Sequence, residues 1–205
     1  KPDYGEAHFL LGQSFYEKGE IDKATDEYKL AVKFKPDLAE AHTNLGKSYM
    51  DKGKIDEAMD EYKKAIKFRP DLVEPHVNLG AVYIQKGRID DAIIESKKAI
   101  KYKPDFAEAH LILGNAYLKK GLINEASKEF ETTLKLKPNS SEIHLYLGNI
   151  YYTNGQIDKA IIEYEKVTKN EPGIAEAHLK LSYAYLLTGN MDKANISLNK
   201  YMTEY

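Results

Sequence analysis

Apolar positions in this chain follow two alternating patterns, both with helical spacing. In the stretch 39–70, Ala41, His42, Leu45, Gly46 and Tyr49 recur every three or four residues, with Glu40, Thr43, Asn44, Lys47 and Asp51 between them. Further on, Ala58, Tyr62, Ala65 and Ile66 repeat the spacing among charged neighbours. Apolar residues at i, i+3, i+4 and i+7 share one face of an α-helix. The pattern predicts a first helix from about Ala39 to Lys52, stopped at Gly53 by a left-handed C-cap. It predicts a second beginning behind Asp56, whose carboxylate would accept from the free amides at the helix start. That helix ends before Pro70, which cannot continue it. At ~1.5 Å per residue each helix is about 20 Å long.

The block recurs every 34 residues. Pro2, Pro36, Pro70, Pro104, Pro138 and Pro172 keep that step, as do His8, His42, His76, His110, His144 and His178. Such a period marks an array of one repeated supersecondary unit. The units are 5–38, 39–72, 73–106, 107–140, 141–174 and a shortened 175–205. Gly12, Gly46, Gly80, Gly114 and Gly148 hold one place in the first helix, and Ala24, Ala58, Ala92, Ala126, Ala160 and Ala194 one place in the second. Small residues there let two antiparallel helices approach closely, so a glycine–alanine seam is expected. One helix pair has too little core to stand alone, and neighbours must stack. The expectation is an all-α, right-handed superhelical solenoid of antiparallel helix pairs, one continuous array over 1–205. Lys1-Pro2-Asp3-Tyr4 matches the unit ending Lys35-Pro36-Asp37-Leu38. Residues 1–4 therefore read as the tail of a preceding unit, and the array is expected to continue upstream.

The motif His8-x2-Leu11-Gly12-x2-Phe15, then Ala24-x3-Tyr28, then Pro36, resembles the tetratricopeptide repeat and returns in register along essentially the whole chain. Histidine stands where that family's consensus has tryptophan. Ser96 and Leu198 replace the second-helix aromatic, and Ser182 the first-helix glycine of the last unit. The resemblance implies a scaffold that holds a peptide or partner protein along a concave wall lined by the outward stripe of the first helices. On that stripe stand Asn44, Asn78, Asn115 and Asn149, with Leu111, Leu145, Tyr146, Tyr152 and Tyr183 in the C-terminal half. A primary amide offers two donors and an acceptor, which suits a peptide backbone. Aromatic anchors that leave water dominate such contacts. Asn44-Leu45-Gly46 and Asn78-Leu79-Gly80 are similar to the asparagine ladder of O-linked N-acetylglucosamine transferases, whereas Ile112, Tyr146 and Lys180 interrupt it later. The basic clamp of chaperone-binding repeat domains has no counterpart. The first-turn position is acidic each time: Glu6, Glu40, Glu74, Glu108, Glu142 and Glu176.

Composition narrows the remaining classes. Thirty basic and 32 acidic side chains give a formal charge of −2, no basis for attraction to duplex nucleic acid or an anionic membrane. No apolar run reaches the ~18–20 residues that cross a bilayer. The absence of cysteine excludes disulfides and thiolate sites without fixing a compartment. Equivalent histidines in stacked helix pairs lie at least ~8–10 Å apart and cannot converge on one metal ion. Exposed second-helix charges such as Asp60 and Lys64 suit i,i+4 pairs. No phosphate-cradling loop, nucleophile elbow or paired carboxylate is present, so no cofactor, metal or catalytic set is expected. The leading expectation is a protein-interaction scaffold. The alternatives are the targeting region of a larger glycosyltransferase-like enzyme and an array that self-associates end to end.

Overall fold

The computed structural model describes residues 4–203. Of the expected tail of a preceding unit, residues 1–4, the first three lie outside them and Tyr4 opens α1. The described residues form twelve α-helices and no strand. The chain divides into two compact units. The first, up to Lys120, holds α1 (Tyr4–Glu17), α2 (Ile21–Phe34), α3 (Ala39–Asp51), α4 (Ile55–Phe68), α5 (Val73–Gln85), α6 (Ile89–Tyr102) and α7 (Ala107–Lys119). The second, from Gly121, holds α8 (Ile123–Leu136), α9 (Ser141–Thr153), α10 (Ile157–Asn170), α11 (Ala175–Leu187) and α12 (Met191–Thr203).

Within each unit, consecutive helices pack in chain order. The first has α1 on α2, α3 on α4 and α5 on α6, with α2 on α3, α4 on α5 and α6 on α7 joining the pairs. The second has α9 on α10 and α11 on α12, with α8 on α9 and α10 on α11 between. This is the all-α, helix-pair repeat architecture of the solenoid class.

The turn inside each pair is set by one glycine. At Gly53, φ is +70°, a conformation that side chains resist. The Gly53 amide donates to Met50 O and the Lys54 amide to Tyr49 O, closing both bonds of a Schellman motif. The motif delivers the chain into α4 two residues earlier than the sequence suggests, with Lys54 rather than Asp56 at the cap position. Lys54 O accepts the first helical bond, from Ala58 N, and no side chain caps the start. Asp56 therefore lies within the first turn and pairs at 2.6 Å with Lys86, the residue at the C-cap of α5, instead of capping. Lys64 likewise turns from Asp60 to the buried carboxylate of Glu61, 2.6 Å away and three residues back.

The expected glycine–alanine seam is a glycine–tyrosine seat. A Cβ on Gly46 would fall 2.6 Å from the Tyr62 ring, and Gly12 and Gly148 face Tyr28 and Tyr164 in the same way. Ala24, Ala58 and Ala160 are fully buried one turn earlier and let these rings reach the glycines. The three tyrosines are at most 1% exposed, so the rings are the core of each pair. In the third repeat Ser96 replaces the ring, and Ile112 of α7 moves into the space, within 3.1 Å of a Cβ at Gly80.

Candidate peptide-binding site

The histidines carry more than bulk. His42 Nδ1 meets Glu61 Oε2 at 2.5 Å, while its Nε2 donates to Pro36 O at 2.9 Å. His76 meets Glu95 and Pro70, and His144 meets Glu163 and Pro138, in the same geometry. His8 meets Glu27 at 2.6 Å. The glutamates face lysines three residues on, at Lys64, Lys98 and Lys166. Both ring nitrogens of His42, His76 and His144 thus face an oxygen, one on a side chain of the second helix and one on the backbone before the first. Burial alone would raise the Glu61 and Glu95 carboxyls, but the hydrogen bonds from histidine and lysine hold them below the ordinary glutamate range. These rings hold helix pairs together, and among the described residues no three ligating side chains gather as a metal site. The glutamate partner escaped the sequence reading, although a histidine and a glutamate nineteen positions apart recur from the first repeat to the fifth.

In the first unit, three adjoining clefts open on the first-helix face, and Asn44 lines all of them. The largest, 420 Å³, lies among Gln13, Tyr16, Glu17, Tyr28, Asn44 and Lys47. The second, 210 Å³, adds Val77, Asn78 and Phe106, and the third, 280 Å³, adds Phe9, Arg69 and Leu72. Thr43 and Glu74 line both smaller clefts. Each has room for a side chain or two, the scale of an extended segment rather than a folded partner. Tyr16 donates to Asp51 at 2.6 Å and lies 5.1 Å beneath the Lys47 ammonium. Burial, reinforced by Asp51, pushes the Tyr16 hydroxyl far above its ordinary range, so it remains a donor at neutral pH. Burial pushes the Tyr28 hydroxyl up to about 12, with its hydrogen bond to Asn44 pulling the other way.

Among the sequence candidates of this unit, Asn44 and Asn78 meet at one cleft, and Leu111 and Asn115 are half-buried on α7. Tyr28, Leu72 and Phe106, none of them a sequence candidate for the site, also line the clefts.

In the second unit, Tyr146 stacks on Phe130 with ring centroids 5.4 Å apart, and its hydroxyl donates to Glu142 at 3.2 Å. Asn149 Oδ1 accepts from Tyr164 at 2.8 Å. Leu145 and Tyr152 pack against the core between α10 and α11. Tyr183 is 46% exposed. A cleft of 650 Å³ opens here beside the second helices, with Glu131, His144, Tyr151, Glu163 and Lys166 in its wall. Those polar groups bind one another: Tyr151 to Glu131, and His144 and Lys166 to Glu163.

No helix among the described residues is long and apolar enough to cross a membrane. No curated protein matches the chain by sequence. Solved structures do. MamA is 31% identical, with 78% of this chain and 94% of that chain covered and a TM-score of 0.72. PilF of Pseudomonas aeruginosa reaches a TM-score of 0.85 at 20% identity, covering 95% and 88%. YrrB, described as a TPR protein with an unusual peptide-binding site, reaches 0.72 at 21% identity, covering 86% and 91%. The family model described as TPR repeat matches residues 12–53, 46–87, 80–121 and 114–155, and two further models, both described as Tetratricopeptide repeat, match 141–174 and 176–205. With matches in register from residue 12 to the C-terminal residue, the chain belongs to the tetratricopeptide repeat family.

Proposed function

We propose that the protein is a protein-interaction scaffold that holds an extended partner segment along the first-helix face, and that it acts through binding rather than catalysis. The convergence of three clefts on Asn44, with the amides of Gln13 and Asn78 beside it, carries this reading. Amides grip a backbone whatever its sequence, and the half-buried apolar walls take alternate side chains. The larger cleft of the second unit fits less well, because its central polar groups are already bonded to each other. In the second unit the corresponding anchors are Leu145, Tyr146, Asn149, Tyr152 and Tyr183, and in the first Leu111 and Asn115 extend the face. YrrB offers a parallel for peptide binding on this fold.

The test places a photo-crosslinking residue at Lys47, on the first-helix face, or at Asp60, exposed on α4, in the full chain. After irradiation in a cell extract, captured peptides are mapped by mass spectrometry. Capture from position 47 and not from 60 supports the reading. Capture from 60 alone moves the site to the second helices.

A further inference from the structure

The clefts around Asn44 contain an acid that the repeat leaves unneutralised. In the first two repeats the first-turn glutamate is paired with a basic side chain 29 residues on, Glu6 with Lys35 and Glu40 with Arg69. The same register would pair Glu74 with Lys103. Instead the Lys103 ammonium lies 5.2 Å over the Phe106 ring. Glu74 is exposed, and it has no ion-pair or hydrogen-bond partner among the described residues.

Its surroundings suit one kind of occupant. Glu74 lines both smaller clefts, with Val77, Phe106, Leu72 and Phe9 as apolar walls and the Asn44 and Asn78 amides nearby. The basic groups of the same walls are engaged, Arg69 with Glu40 and Lys47 with the face of Tyr16. A side chain with a long apolar stem and a cationic end matches this arrangement, its stem against the walls and its charge on the carboxylate. A carboxylate-ended segment would meet Glu74 without a counter-ion. We propose that this face selects a partner segment carrying a lysine or arginine, seated on Glu74. The inference rests on the peptide-binding reading above and adds the chemistry of the residue that is read.

The experiment pans a displayed library of random peptides on the full chain, then measures the selected peptides by fluorescence anisotropy as synthetic probes. The selected sequences should share a lysine or arginine at one aligned position. Replacing it by norleucine should weaken binding about fivefold, the range of a partly exposed ion pair. Glu74→Gln should weaken the parent peptide equally and leave the norleucine peptide unchanged, and the difference should shrink as salt rises. Asp60→Asn, a charge change elsewhere on the first unit, should have no effect. Peptides that need Asn44 and Asn78 but show no basic preference, or no coupling to Glu74, overturn this inference and leave the peptide face standing. A library that yields no binder, or binders indifferent to Asn44→Ala and Asn78→Ala, overturns the peptide face itself.

Discussion

His178 stands nineteen residues before Ser197, where the earlier repeats have glutamate, and its Nδ1 is buried without a hydrogen-bond partner. Its Nε2 still donates to Pro172 O at 2.9 Å. Only half of the arrangement that holds the other pairs is present in the last one.

Ser197→Glu should therefore stabilise the α11–α12 pair by about 1.5–3 kcal/mol, the worth of a hydrogen bond involving a charged group. The increase should appear as slower amide hydrogen exchange in α11 and α12. Ser197→Ala, which leaves the nitrogen unpartnered, should give no gain. Equal effects of the two variants would show that the vacant partner position is not what limits this pair.

Gly46→Ala should cost roughly 1–3 kcal/mol, because the new methyl enters the space of the Tyr62 ring. Chemical denaturation measures the loss. Combining it with Tyr62→Leu should cost less than the two single changes summed, since the smaller side chain relieves the clash. Strict additivity would place the strain elsewhere.

Acid should weaken the array through Glu61 and Glu95. Both carboxyls titrate below their ordinary value in the folded chain, so the folded state binds fewer protons than the unfolded one over that interval. Their contribution is present above the unfolded value near ~4.3 and is lost as pH falls through the lower folded value. Thermal midpoints measured from pH 6 downward should fall in that window. Glu61→Gln with Glu95→Gln should lower stability at pH 6 and flatten the curve below it.

On the proposed binding face, Tyr183→Ala should weaken binding of a selected peptide that engages the second unit without moving the thermal midpoint, because the side chain is largely exposed. Tyr146→Ala should reduce both, since that ring also stacks on Phe130. A loss of stability with no loss of affinity at Tyr146 would make it a packing residue alone.

Helix positions and the glycine turns were legible because each depends on neighbours close in sequence. Ala39–Asp51 and Ile55–Phe68 differ from the expected spans by a residue or two, and Gly53 stands in the expected conformation. Contacts across helices were less legible. Lys64 had two acids within one turn, and only the position of His42 beside Glu61 decides between them. The interruption of the asparagine ladder at Ile112 reads in sequence as a lost amide. In the structure Ile112 packs beside Gly80, next to Ser96, where the first, second and fifth repeats have a tyrosine ring. The lone acid at Glu74 was hidden for the same reason. Sequence registers it with Lys103, and only the rotation of that lysine onto Phe106 leaves it free.

The histidine–glutamate pairs bear on how such a chain can change length. Both members of each pair lie inside one 34-residue block, so duplicating or excising a block transfers the buried pair whole. Among the ties that cross block boundaries, the ion pairs Lys52 to Asp22, Lys86 to Asp56 and Lys120 to Asp90 have partly or largely exposed partners, while each histidine Nε2 reaches a proline carbonyl that recurs in every block. A recombination event at a boundary thus exchanges one proline carbonyl for its equivalent in another block, and gene-level gain or loss of repeats leaves no buried glutamate without its histidine.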